Sequence, residues 1–332
     1  MKFKRIKNSW FIANKHYLIP VFLFFTIINF AVGLFFAVVA FSIWGVNKLR
    51  ARLPIDPGIE GKSETIIYKT IGTTTLKMDL WRPPDNSPGT ATVVFAHGGG
   101  WVSGKRTQPN IVSWSRFLSS RGFSVASVDY RFAYMNNMAE IIEDYSDSVN
   151  FIQNNAERLG VNSKIILMGL SAGGHLALCH AAFNTCMSDE ESESALSQNL
   201  MKGVCGVVAY YAPTDLIDLF SSEDKSFFAR FGAGSAMKTL PRFDEDVYEK
   251  YSPINSFSKK MPPVMAVHGH KDEVVPFHSS VKTIKRLKAL NVPCRFLIHK
   301  NGSHGFETKM KDYRTTLILE ETVRFMRKIA EK

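Results

Sequence analysis

No acidic residue occurs in the first 52 positions of the 332-residue chain, although Lys2, Lys4, Arg5, Lys7, Lys15, Lys48, Arg50 and Arg52 lie there. Those eight bases supply most of the formal charge of +11 and leave 33 basic against 30 acidic residues in the remainder. The rest of the chain therefore lacks the basic stripe that nucleic-acid binding requires. Cysteine is also scarce. Cys179, Cys186, Cys205 and Cys294 show no C-x-x-C spacing, so neither a zinc site nor a redox motif is indicated, and four thiols in a chain this long do not fix the redox compartment. Internal repeats and low-complexity segments are missing too, which excludes solenoids and disordered tracts.

The longest gap is one of charge. Tyr17 to Val46 holds thirty residues without a single ionisable acid or base of the Asp, Glu, Lys or Arg kind, and it is rich in Phe, Leu, Ile and Val. As a helix it would be about 45 Å long against roughly 30 Å of hydrocarbon. A cleaved signal peptide has a shorter apolar region of about 7–15 residues, and a buried core helix would carry a polar stripe. The expectation is a single membrane anchor at 17–46, preceded by a basic tail at 1–16. Five Lys or Arg precede the run, whereas Lys48, Arg50, Arg52 and Lys62 follow it, a narrow margin for a cytoplasmic N-terminus. Residues 47–62, with Pro54, Pro57, Gly58 and Gly61, read as a linker.

From residue 63 to 332 the pattern is that of one large α/β domain. Two alternating runs, Glu64 to Thr70 and Thr74 to Trp81, flank a Gly72 turn as in a hairpin. Short apolar runs without alternation follow at Ala91 to His97, Phe123 to Tyr130 and Lys164 to Leu170, each suited to a buried strand, and further strands are read at Gly203 to Tyr211, Pro263 to His268 and Arg295 to His299. Helical patterns separate them at Gln108–Ser120, Met138–Leu159, Ser279–Leu290 and Arg314–Glu331. This alternation predicts a mainly parallel sheet with helices on both faces. Asp215 to Lys260 is read as irregular, and its many aromatics suit a cap insertion at about 215–260.

Chemistry concentrates around Gly169-Leu-Ser171-Ala-Gly173, placed between a buried strand and a helix of small residues. A serine on such a sharp turn has its hydroxyl pushed out at the top of the sheet, and the flanking glycines avoid backbone clashes. Its hydroxyl needs a base, and the base works best when a carboxylate orients it. His304, in a Gly-flanked loop after the last strand, is the candidate base. Asp272, just past the preceding strand, is the candidate orienting acid. Alternatives remain: Asp272 could cap a helix while Glu273 or Asp215 serves as the acid, and His304 could be a surface histidine, though His268, His270, His278 and His299 are less well placed. His97-Gly-Gly-Gly-Trp101 can aim backbone N–H groups at an oxyanion. Gly99, Gly100 and Ala172 are the predicted donors. Two rival motifs fare worse: Gly99-x-x-x-x-Gly104-Lys105-Arg106 carries Arg where a phosphate loop needs Ser or Thr, and in a metal reading of His268, His270, Asp272 and Glu273 the serine chemistry already explains Asp272 while its neighbours have no fixed need.

These residues together resemble the α/β-hydrolase superfamily, in particular carboxylesterases of the hormone-sensitive-lipase-like type. The carriers are His97-Gly-Gly-Gly-Trp101, Val128-Asp-Tyr-Arg131, Gly169-Leu-Ser-Ala-Gly-Gly174, Asp272 and His304, in the order Ser, Asp, His. The His-Gly-Gly-x-Trp form is also similar to kynurenine formamidases and prenylcysteine methylesterases. Leu170 stands where relatives often carry Asp, Glu, His or Gln. The resemblance implies the α/β-hydrolase fold, the triad and the oxyanion loop without naming the acyl group. The expectation is a membrane-anchored serine hydrolase of hydrophobic esters. An amidase, formamidase or prenylcysteine methylesterase is the nearer alternative and a catalytically inactive membrane-tethered binding module the more distant one. No cofactor or metal is called for, the partners are a small ester and the bilayer, and oligomeric state is left open.

Overall fold

The computed structural model describes residues 51–55, 57–58, 63–186, 200–221 and 226–331. The expected basic tail and anchor at 1–46, and part of the linker, lie outside the described residues. Among the described residues no helix is long and apolar enough to cross a membrane.

Eight strands form one sheet in the order β1-β2-β4-β3-β5-β6-β7-β8. β1 (Ser63–Ile71) and β2 (Thr74–Trp81) make the antiparallel hairpin, and β2 also runs antiparallel to β4 (Ser124–Val128). From β4 onward every pairing is parallel, through β3 (Thr92–Ala96), β5 (Ile165–Leu170), β6 (Val204–Tyr210), β7 (Val264–Gly269) and β8 (Cys294–His299). β3, β4, β5 and β7 are buried along their whole length. That burial explains their continuous apolar sequence, since both faces are covered.

Two apolar layers provide the cover. On one face α2 (Met138–Leu159), α3 (Ala172–Cys186) and α6 (Phe277–Ala289) bury Tyr145, Val149, Leu176, Leu178 and Leu287. On the other, α1 (Pro109–Ser120) and α8 (Tyr313–Ala330) bury Trp114, Phe117, Val323 and Met326. α2 begins at a reciprocal cap between Asn137 and Glu140 and ends on Gly160 in the left-handed region, so the sequence terminates it at both ends. α3 has almost no polar face because it lies between the sheet and the chain around Tyr251, whose carbonyl accepts from His175.

The stretch read as irregular, 215–260, is largely helical. It holds α4 (Phe227–Met237), α5 (Glu245–Lys250) and 3-10 turns at Ile217–Phe220 and Pro253–Ser256. α4 inverts the usual amphipathic rule. Ala229, Gly232, Ala233 and Ala236 form its buried stripe, while Phe227 and Phe231 point outward, 80% and 53% exposed. A short α7 (Phe306–Lys309) after the His304 loop was also not anticipated. All four cysteines are free thiols.

Candidate active site

A parallel sheet gathers the C-terminal ends of its strands along one edge. Here that edge collects the ends of β3, β5, β6, β7 and β8, and each predicted site residue sits in the segment that follows one of them. Ser171 occupies the single residue between β5 and α3, and its backbone takes φ +52°, the left-handed region. Its N–H is fixed to Tyr210 O at 2.9 Å at the end of β6. The turn is possible only because Gly173 has no side chain: a Cβ there would lie 2.2 Å from Ala96 O.

That backbone is strained for an L-residue, at a cost of roughly 1–2 kcal/mol, of which glycine's larger chain entropy would return roughly 0.5–1 kcal/mol. Ser171→Gly should therefore be more stable than Ser171→Ala by about 1 kcal/mol. Urea unfolding of the two inactive variants measures this directly. Equal midpoints would mean that the turn stores no strain.

Asp272 and His304 meet. His304 Nδ1 donates to Asp272 Oδ2 at 2.8 Å and lies 3.1 Å from Oδ1. Their loops are pinned to each other, with His270 N–H donating to His299 O and Lys271 N–H to Gly302 O, both at 2.9 Å. Asp272 Oδ1 accepts the N–H groups of Val274 and Val275 at 2.8 and 2.9 Å. Oδ2 also faces His268 Nε2 at 3.2 Å. Burial would raise this carboxyl, but the hydrogen bonds from His268 and His304 outweigh it and hold the group well below the usual carboxylate range. Asp272 does not cap α6, whose N-cap is Pro276, and the substitute acid Asp215 is engaged by Lys282 at 2.9 Å. His268 is the contact that sequence reasoning passed over. Set aside as a base, it instead braces the acid, its other nitrogen on Ser280 Oγ at 2.7 Å.

The glycine loop after β3 folds back at Gly99, whose φ of +133° only glycine adopts readily. Gly99 O accepts from Val102 and Ser103, so the loop is closed by its own carbonyl. Among the described residues the N–H groups of Gly99, Gly100 and Ala172 donate to no protein acceptor. Three unspent donors thus lie in the loop and at the N-terminus of α3, where the helix dipole favours an anion. His97 shapes the loop from beneath. Fully buried and stacked on Tyr130 at 4.2 Å, its Nδ1 donates to Gly98 O at 2.8 Å, and the Tyr130 hydroxyl donates to His97 O. Arg106, which breaks the phosphate-loop pattern, pairs instead with Asp79 and Asp129 and so ties the loop to the antiparallel strands.

Helix α4 covers this loop. A Cβ on Gly100 would lie 2.9 Å from the Phe228 ring, and one on Gly232 would lie 2.3 Å from Gly100 O. The aromatic-rich stretch therefore borders the predicted oxyanion donors. Tyr211, just past β6, places its ring 4.5 Å from that of His304.

The BD-FAE family model matches residues 78–287, and that of the dienelactone hydrolase family matches residues 245–330. The chain is 28% identical over 233 residues to esterase LipC of Mycobacterium tuberculosis, covering 69% of this chain and 57% of the relative. It is 25% identical over 232 residues to the isoprenylcysteine alpha-carbonyl methylesterase ICME of Arabidopsis thaliana, covering 69% and 53%. The chain thus matches about half the length of these curated relatives. Among solved structures, a truncated carbohydrate esterase from gut microbiota superposes with a TM-score of 0.68 at 22% identity, over 85% of this chain and all of the other. Esterase Est2 of Thermogutta terrifontis does so with 0.64 at 23% identity, over 80% and 92%. These two likenesses establish the shared fold.

Proposed function

Since the chain belongs to the BD-FAE family of carboxylesterase-type α/β-hydrolases, we propose that it is a serine hydrolase of carboxylic esters working through an acyl-enzyme. What supports this reading is that the strained Ser171, the hydrogen-bonded His304–Asp272 pair and the unspent N–H groups of Gly99, Gly100 and Ala172 all follow strand ends on one edge of the sheet.

In this mechanism Ser171 Oγ attacks the ester carbonyl as His304 Nε2 takes its proton. Asp272 holds Nδ1 protonated, which leaves Nε2 free as the acceptor. The tetrahedral oxyanion is received by Gly99, Gly100 and Ala172, each such donor being worth roughly 2.7–4 kcal/mol. His304 then returns the proton to the leaving alkoxide, and water repeats the cycle on the acyl-enzyme. Phe228 beside Gly100, with Phe227 and Phe231 exposed on the same helix, supports an apolar ester as substrate. The uncharged run at 17–46 supports a membrane anchor that would hold the enzyme where such esters partition.

A second reading has its own support, because several relatives, including ICME of Arabidopsis thaliana, are named isoprenylcysteine alpha-carbonyl methylesterases. There the apolar part is the acyl side of a methyl ester. Both readings share the serine chemistry and differ in where the apolar group sits.

The test is labelling of the detergent-solubilised chain with a fluorophosphonate, mapped by mass spectrometry, together with turnover of p-nitrophenyl esters from acetate to dodecanoate and of farnesylcysteine methyl ester. Ser171 is expected to carry the label, and turnover should rise with acyl length before falling. Preference for the farnesylcysteine ester would select the second reading. An unlabelled Ser171 with no turnover of any ester would leave a binding module.

A further inference from the structure

Beyond the His304 loop the chain buries a carboxyl group that the reaction above does not use. Glu307, on α7, is 1% exposed. The Tyr211 hydroxyl donates to its Oε1 at 2.7 Å, while Oε2 makes no well-formed hydrogen bond among the described residues, the equally unpaired Trp114 indole N–H being the donor that acts on this carboxyl. A buried acid with one oxygen unsatisfied is costly and calls for a reason. Tyr211 is unusual as well. Its φ is +38°, an outlier for an aromatic residue. It is kept there by its N–H, which donates to Val267 O at 2.6 Å, and by the preceding Tyr210, whose carbonyl holds Ser171 N–H. The Tyr211 ring lies 4.5 Å from the His304 ring at a tilt of 57°. A strained backbone thus sets an aromatic ring against the imidazole, and the buried carboxyl holds that ring by its hydroxyl.

We propose that Tyr211 and Glu307 are positioning residues for His304: the Tyr211 ring packs against the imidazole, and Glu307 fixes the ring through its hydroxyl. This rests on His304 being the catalytic base. When His304 takes the Ser171 proton it becomes a cation within 4.5 Å of an aromatic ring centre, a neighbour that favours the charged form, and the Glu307 carboxyl lies at the hydroxyl end of that ring. Burial raises the Glu307 carboxyl while the Tyr211 hydrogen bond and His304 lower it. The titratable groups facing the cluster are Asp272 on the other side of His304, and Tyr210 beside Tyr211. The Trp114 indole N–H also acts on the Glu307 carboxyl.

The experiment compares Tyr211→Phe, Tyr211→Leu and Glu307→Gln with the full-length wild type for kcat, KM and the pH profile of kcat/KM on p-nitrophenyl butyrate. Tyr211→Leu should lower kcat about tenfold with KM nearly unchanged, since misplaced proton transfer affects the chemical step. It should also move the acid limb about half a pH unit lower, because less stabilisation of the cation makes the base harder to protonate. Tyr211→Phe, which keeps the ring but loses the hydroxyl held by Glu307, should fall between wild type and Tyr211→Leu in both readouts, and Glu307→Gln, which keeps an oxygen to accept from that hydroxyl, should stay closest to wild type. A merely structural role would lower melting temperature and activity without moving the limb, and that result, or unchanged kcat in all three, overturns the proposal. Should Tyr211→Leu not fold, the nearly isosteric Tyr211→Phe, which removes the hydroxyl that Glu307 holds, decides alone. Fluorophosphonate labelling of Ser171 in each variant separates the two levels: failure of wild type to label removes the hydrolase reading and this proposal with it, whereas labelled variants with wild-type profiles remove this proposal only.

Discussion

Alanine at Ser171 or at His304 is expected to lower kcat on p-nitrophenyl butyrate by about 10⁶, and asparagine at Asp272 by about 10⁴. The first two remove the nucleophile and its base, and because the pair acts as a unit the double variant should be no worse than either alone. The third follows from the wiring of the carboxylate. Oδ1 of Asp272 is committed to the N–H groups of Val274 and Val275, so the oxygen of an asparagine would be drawn to that side. Its NH₂ would then replace Oδ2, facing His304 Nδ1 at 2.8 Å and His268 Nε2 at 3.2 Å. Donors would confront donors. His304 could relieve its part only by moving its proton to Nε2, which removes the lone pair needed to accept from Ser171. Asp272→Asn should therefore keep the fold and lose the chemistry. Steady-state kinetics beside circular dichroism test it, and an Asp272→Asn enzyme within tenfold of wild type would assign the acid to another residue.

Much of this site was legible because each part carries a local chemical signature. Ser171 is marked by glycines whose absence of Cβ the turn demands, and Asp272 and His304 by their places just past apolar strands. The parallel sheet does the rest, because strand ends share one edge. What stayed hidden was tertiary. Tyr211 and Glu307 are ordinary in sequence and become notable only when β6 and α7 bring them against His304. His268 was visible but was considered only as a rival base or a metal ligand, whereas burial and the i,i+4 contact make it a brace for Asp272. Helix α4 was missed for a different reason. Hydrophobic periodicity assumes that large apolar residues face inward. Here the close approach to the glycine loop selects Ala229, Gly232 and Ala233 for the inner face, and the phenylalanines are left outside. A pattern search for a buried apolar stripe reads such a helix as irregular chain.

Acidification from pH 7 to pH 5 should destabilise the folded domain by about 4 kcal/mol or more, through histidines that take no part in the reaction. Burial pushes His175 and His180 down to about 4 from an ordinary value of 6.5, and His97 is lowered in the same way. Each serves as a neutral hydrogen-bonding group, His175 on Tyr251 O and His180 between Ser146 Oγ and Leu200 O. Between pH 6.5 and 4 the unfolded chain binds protons that the folded chain refuses, so stability rises with pH across that window and falls on acidification through it. At pH 5, His175 and His180 each account for about 2 kcal/mol, and His97 adds in the same direction. Asp272 does not contribute there. Its depressed carboxyl keeps its stabilising effect above the ordinary carboxylate range near pH 4 and loses it only below. Against a typical domain stability of about 5–15 kcal/mol, the loss is large enough to bring unfolding close to pH 5. Urea midpoints of the solubilised protein at pH 7, 6 and 5 measure the slope, and His180→Gln, which retains a donor for Leu200 O but cannot titrate, should reduce it by about 2 kcal/mol. A flat stability curve over this range would mean that these imidazoles are solvated in the folded state. Because His97 underlies the Gly98–Gly100 loop, its protonation would disturb the oxyanion donors as well.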